Sequence, residues 1–79
     1  MANEFAMPKL GHLIEEGTVV RWYKSVGDRV ERDEVLLEIE TDKAILQVES
    51  PFSGVLVEIL VGEDERVPVS AALATYEAG

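Results

Sequence analysis

Apolar and polar positions along the chain alternate in short bursts rather than with the period of a helix. Val35-Leu36-Leu37-Glu38-Ile39-Glu40 and Ile45-Leu46-Gln47-Val48-Glu49 end in the alternation of half-buried strands, whereas Val19-Val20 and Val55-Leu56-Val57 read as strands buried on both faces. Eight runs fit strands: Glu4 to Met7, Gly17 to Tyr23, Arg29-Val30, Val35 to Glu40, Ala44 to Glu49, Val55 to Val61, Arg66 to Val69 and Ala72 to Tyr76. Gly11, Gly17, Gly27, Gly54 and Gly62, with Pro8, Pro51 and Pro68, punctuate the intervals so closely that no long helix fits. The pattern predicts an all-β fold.

Sliding the chain against itself by 37 residues, without a gap, sets Gly17-Thr18-Val19-Val20 on Gly54-Val55-Leu56-Val57. The same offset sets Trp22-Tyr23 on Ile59-Leu60, Arg29-Val30 on Arg66-Val67, and Leu36 and Ile39 on Leu73 and Tyr76. Two similar halves, neither able to bury a face alone, imply a sandwich or flattened barrel with approximate two-fold symmetry. Each half either supplies one sheet or exchanges strands with the other.

The segment between the halves stands out. Glu40-Thr41-Asp42-Lys43-Ala44 joins the fourth predicted strand to the fifth, a tight hairpin in which Asp can cap its own backbone and Lys projects outward. A turn on two anchored strands presents one side chain to visiting partners at a fixed place. A lysine in a turn is, on its own, an ordinary solvated residue, so the surrounding pattern carries the weight.

Length and charge narrow the function classes. Seventy-nine residues make one domain, with a core from about residue 4 to 76 and Glu77-Ala78-Gly79 fitting the start of a linker. So short a chain leaves little room for a deep catalytic cleft. There is no cysteine to form a disulfide or a thiolate metal site. Sixteen acids against seven bases, a formal charge of −9, argue against nucleic acid. The excess fits either basic protein partners or plain solubility of a monomer. No apolar run reaches the roughly 18 residues that span a bilayer, and Met1-Ala2-Asn3-Glu4 lacks the basic start of a signal peptide. The expectation is a domain without membrane contact, in the cytoplasm or, in a eukaryote, the mitochondrial matrix.

With these residues in place, Glu38-Ile39-Glu40-Thr41-Asp42-Lys43-Ala44 resembles the lipoylation motif of the dihydrolipoyl acyltransferase component of 2-oxo acid dehydrogenase complexes, in the biotinyl/lipoyl-attachment family. The likeness extends to Met7-Pro8-Lys9-Leu10-Gly11, Glu15 to Trp22, Val26-Gly27-Asp28-Arg29-Val30, Glu49 to Leu56 and Val67-Pro68-Val69, and so covers about residues 4 to 76. It implies a barrel-sandwich hybrid, two four-stranded antiparallel sheets related by a pseudo-two-fold, with the lysine at a hairpin tip. It implies lipoic acid in amide linkage to Lys43, with Thr41, Asp42 and Ala44 flanking it. Asp42 is expected to cap the turn and Ala44 to leave room for the attaching enzyme.

The resemblance further implies a carrier that catalyses nothing itself, cut from a parent acyltransferase. A lipoate ligase or lipoyl transferase would load it. Its arm would then visit a thiamine-diphosphate decarboxylase, the acyltransferase core and a flavin-containing dihydrolipoyl dehydrogenase. In the family the loop matching Gly11-His12-Leu13-Ile14-Glu15 lies beside the lipoyl turn and helps the decarboxylase recognise the domain; here that loop departs from the usual small polar or Met-containing sequence. Biotinyl domains set their lysine between methionines, and neither neighbour of Lys43 is Met.

Other readings remain beside this one: a biotinyl carrier, a non-covalent β-barrel interaction module, and a free-standing acyltransferase, which this length and the missing catalytic His disfavour. Glu38, Glu40, Asp42 and Glu49 either steer a basic partner or are simply solvated. Trp22, Tyr23, Phe52 and Tyr76 read as core or rim packing. His12, the only histidine, contacts a partner or nothing, and Glu16 and Glu34 read as loop solvation.

Overall fold

The computed structural model describes residues 2–79. Its strands are β1 (Asn3–Ala6), β2 (Glu16–Trp22), β3 (Arg29–Val30), β4 (Val35–Glu40), β5 (Ile45–Glu49), β6 (Gly54–Ile59), β7 (Arg66–Pro68) and β8 (Ala72–Ala78). Each lies within two residues of its predicted run, and no described residue is helical. Two four-stranded antiparallel sheets result, in the orders β1-β8-β6-β3 and β5-β4-β2-β7.

These orders settle how the halves combine. Exchanging β1 with β5, β2 with β6, β3 with β7 and β4 with β8 turns one sheet into the other. Each half therefore lends two strands to each sheet, and neither half can close a core without its partner. The symmetry reaches the backbone. Gly27 and Asp64 both adopt a left-handed conformation, at φ 93° and 70°, as do Asp33 and Ser70 at 77° and 80°. The Gly27 N–H donates to the Leu56 carbonyl at 2.7 Å, and the Asp64 N–H donates to the Val19 carbonyl at 2.7 Å. These paired bonds tie a loop of each half to a strand of the other.

Between the sheets lies one apolar cluster. Val19 faces the core with its counterpart Leu56, Leu36 with Leu73 and Leu37 with Ala74, joined by Phe5, Met7, Val30, Ile39, Val48 and Phe52. Burying each of the larger aliphatic side chains is worth about 1.5–3 kcal/mol, so this cluster dominates the stability of a chain without disulfides. Phe52 stacks on Tyr76 at 3.6 Å between ring centroids and meets Phe5 edge-on at 6.1 Å. Trp22 is half-buried, and its Nε1–H donates to the Val61 carbonyl at 2.9 Å.

Three expectations need correction. Val55 and Val57 are not buried on both faces: they are 37% and 40% exposed, because alternation sends them out of the sheet while Gly54 and Leu56 turn inward. Glu16 is not a solvated loop residue but opens β2 and pairs with Arg66. Glu34 is held in a turn, its carboxylate accepting from the Glu31 N–H at 2.7 Å and lying 3.2 Å from the Lys24 ammonium.

Candidate functional site

β4 and β5 pair down to Glu40 and Ile45, leaving Thr41 to Ala44 as a four-residue connection. The Thr41 N–H donates to the Ala44 carbonyl at 2.8 Å, which closes the loop. The Thr41 hydroxyl fills its centre. Oγ1 accepts from the Lys43 N–H at 3.2 Å and the Ala44 N–H at 3.1 Å, and donates to the Ala44 carbonyl at 3.0 Å. The cap expected of Asp42 thus belongs to Thr41. A hydroxyl can donate and accept at once, whereas an ionised carboxylate only accepts, so Thr41 takes both turn N–H groups and adds a second bond to the Ala44 carbonyl.

Asp42, Lys43 and Ala44 are exposed, and the Lys43 ammonium has no ion-pair or hydrogen-bond partner among the described residues. Of the other six cations, Lys24, Arg29 and Arg66 are held by Glu34, Glu31 and Glu16, and Arg21 lies 4.7 Å over the Tyr23 ring. Lys9 and Arg32 are exposed and, among the described residues, unpaired like Lys43, but stand outside the hairpin. Lys43 is a primary amine on a fixed backbone, with nothing covering it and no carboxylate holding it. Its available chemistry is acylation, which removes the charge and adds the acyl group to a tether of four methylenes. No three His, Asp or Glu side chains among the described residues converge to hold a metal ion.

The surroundings are asymmetric. A groove of about 330 Å³ beside the turn is lined by Leu13, Ile14, Glu15, Glu16, Asp42 and Arg66. A second, of about 270 Å³, runs along Glu16, Gly17, Thr18, Glu40, Thr41, Asp42 and Arg66. Gly17 also faces the core, where a Cβ would overlap Ile39 Cγ2. Of the five predicted recognition-loop residues, Leu13, Ile14 and Glu15 line the first groove; the Ile14 N–H donates to the Gly11 carbonyl at 3.3 Å, and Leu13 is 79% exposed. His12 is also exposed.

The loop is an addition to the repeat. Ala6 pairs with Ala72 as Glu49 pairs with Val35, and Val35 and Ala72 are repeat-mates, so Ala6 and Glu49 are equivalent. Gly17 follows Ala6 by eleven positions, whereas Gly54 follows Glu49 by five. The six extra residues fall beside the lysine turn. Arg66 went unnoticed in the sequence because only the pairing of Thr18 with Arg66 brings β7 to the site. Of the acids expected to steer a partner, Glu40 and Asp42 line the grooves. Glu38 instead accepts a hydrogen bond from the Tyr23 hydroxyl at 2.8 Å, which holds the phenol above its ordinary pKa. Glu49 sits at the far end of β5.

Comparison with known proteins gives a consistent picture. A family model of biotin- and lipoyl-attachment domains, described as "Biotin-requiring enzyme", matches residues 3–76. The chain is 49% identical over 73 residues to the dihydrolipoyllysine-residue acetyltransferase component of the pyruvate dehydrogenase complex of Corynebacterium glutamicum, covering 92% of this chain and 11% of that protein. It is 44% identical over 79 residues to the dihydrolipoyllysine-residue succinyltransferase component of the 2-oxoglutarate dehydrogenase complex of Bartonella vinsonii, covering all of this chain and 19% of that protein. The solution structure of the lipoyl domain of the 2-oxoglutarate dehydrogenase complex from Azotobacter vinelandii superposes with a TM-score of 0.74 at 35% identity, covering 96% of this chain and 98% of that one. The chain thus spans under a fifth of these two curated relatives and nearly the whole of the structural one.

Proposed function

The chain belongs to the biotin/lipoyl-attachment family and is a lipoyl domain, and from that premise we propose that Lys43 carries lipoic acid in amide linkage and that the domain serves an acyltransferase component of a 2-oxo acid dehydrogenase complex. The observation that carries this reading is the Lys43 amine itself, exposed, unpaired and held at a backbone position that Thr41 fixes. Lipoic acid supplies a dithiolane that accepts an acyl group and two electrons together.

The protein's part is presentation. Two paired strands hold the turn still, so the flexibility of the arm lies in the lysine side chain and what it bears. A tether of this kind raises the concentration of the carried group at each site it reaches, toward about millimolar for short flexible links. The absence of cysteine in the chain leaves no internal thiol to exchange with the carried dithiol. The partners follow from this reading: a lipoate ligase or transferase that loads Lys43, the decarboxylase, the acyltransferase core and the dihydrolipoyl dehydrogenase, with the Gly11-to-Glu15 loop contacting the decarboxylase. The names of the two curated relatives, one acting in a pyruvate and one in a 2-oxoglutarate complex, support membership of such an assembly.

Intact-mass analysis after incubation with a lipoate ligase, lipoate and ATP tests the assignment, alongside Lys43→Arg. One lipoyl amide per chain, absent from the variant, is expected. No gain, a gain that survives the substitution, or loading by a biotin ligase instead would overturn it.

A further inference from the structure

We propose that the Thr41 hydroxyl is a positioning group for the acylation of Lys43, setting how often the turn presents the amine in the arrangement the attaching enzyme accepts. The inference rests on the assignment of Lys43 as the attachment site and goes beyond it, because it concerns what makes that lysine a substrate. The Thr41 N–H closes the loop on the Ala44 carbonyl, but inside that loop the hydroxyl alone holds the lysine backbone: the Lys43 N–H donates to Thr41 Oγ1 alone, the Ala44 N–H does the same, and the hydroxyl hydrogen adds a second bond to the Ala44 carbonyl. Asp42 makes no hydrogen bond among the described residues.

The chemistry explains why position matters. An acyl group activated as a mixed phosphate anhydride meets the amine: the C–N bond forms at the carbonyl carbon, the acyl–oxygen bond breaks, the phosphate leaves with the bonding pair, and Nζ loses a proton to solvent. The enzyme has to bring a nitrogen at the end of a flexible side chain over the face of the carbonyl carbon. The anchor of that side chain is the one element the carrier can preorganise. A turn that samples several shapes is competent only for a fraction of the time, and the apparent affinity of the enzyme for the domain falls by that fraction.

The groups capped by Thr41 lie at the surface, where water can replace the hydroxyl. Removing it therefore loosens the turn without leaving buried donors unsatisfied and without unfolding the sheets. That separates a positioning role from a structural one.

Thr41→Val and Thr41→Ser in this chain, with purified lipoate ligase, lipoate and ATP, provide the test. For Thr41→Val the KM for the domain should rise roughly tenfold, the scale of one net hydrogen bond, with kcat within about a factor of two and full loading restored at high domain concentration. Thr41→Ser, which keeps the hydroxyl, should match the parent. Amide exchange at Lys43 and Ala44 should quicken in Thr41→Val only, while the thermal midpoint of both variants stays near that of the parent. Unchanged KM in Thr41→Val, or an equal loss in Thr41→Ser, overturns the proposal, as does unaltered exchange at the two amides. A parent chain that takes no lipoyl group at Lys43 overturns instead the assignment beneath it, and this proposal with it.

Discussion

Leu36 and Leu73 hold the same post in the two halves. Each is the residue skipped where an edge strand pairs with it: Val35 and Leu37 face Glu49 and Val48 across one sheet, and Ala72 and Ala74 face Ala6 and Phe5 across the other. Both side chains are wholly buried. A bulge at this point lets two consecutive residues, Leu36-Leu37 and Leu73-Ala74, reach the core.

Truncating either leucine should therefore be costly, and similarly so. Leu36→Ala and Leu73→Ala are each expected to lower stability by about 2–5 kcal/mol, since both leave a cavity inside a closed core. Urea unfolding followed by Trp22 fluorescence measures both. A large loss at one and almost none at the other would show that the halves are not mechanically equivalent.

Two glycines should behave oppositely. A Cβ at Gly54 would overlap the Glu77 carbonyl on the adjacent strand, with the Ala78 Cα also close, so Gly54→Ala has to push backbone apart and should cost at least about 2–3 kcal/mol. Gly27 has open space around it at φ 93°, and its counterpart Asp64 already occupies a left-handed conformation. Gly27→Asn should cost less than about 1 kcal/mol. Thermal midpoints of the two variants give the comparison directly.

The strands and the lysine turn were legible because both are local signals: alternation marks the first, and a polar break between repeats marks the second. What escaped depended on long-range geometry. A gapless slide by 37 residues aligns β2 to β4 with β6 to β8 but misses β1 on β5, because six residues intervene after Pro8; Met7-Pro8 is the true mate of Ser50-Pro51. Their N–H groups confirm it, Met7 donating to Ala71 and Ser50 to Glu34. Apolar Val55 and Val57 gave no hint that they face outward, since an exposed valine looks like a buried one in sequence. Thr41 and Asp42 both can cap a turn, and only the folded backbone, which aims the Lys43 and Ala44 N–H groups at Thr41 Oγ1, chooses between them.

Stability in acid should depend on Glu34. The Glu31 N–H and the Lys24 ammonium favour its ionised form and hold its pKa below the ordinary 4.5. A carboxyl lowered on folding contributes stability that is fully present above the unfolded value and is lost as pH falls through the folded one. The loss should therefore appear below about pH 4.5, starting at the ordinary glutamate value. Glu34→Gln should flatten the pH dependence of the urea midpoint in that window and change it little at neutral pH beyond a constant offset. The same slope in both proteins would assign the acid sensitivity to other carboxylates.

The enlarged loop yields the sharpest separation of carrier from partner surface. Leu13 is a large apolar side chain left 79% exposed on a six-residue addition beside the turn, in a place where the fold's own repeat does without one. Because it buries almost nothing, Leu13→Ser should change stability by less than about 0.5 kcal/mol. It takes no part in the Thr41–Ala44 hydrogen bonds, so loading of Lys43 by the ligase should proceed at the parent rate. If the loop contacts the decarboxylase, however, reductive acylation of the loaded domain should slow by roughly tenfold, the cost of about 1.4 kcal/mol from one apolar anchor. Mass analysis of loading and a single-turnover acylation assay on the same sample distinguish the steps. Parent-like acylation by the variant would detach the loop from recognition, and a parallel drop in loading would mean that Leu13 acts on the turn rather than on a partner.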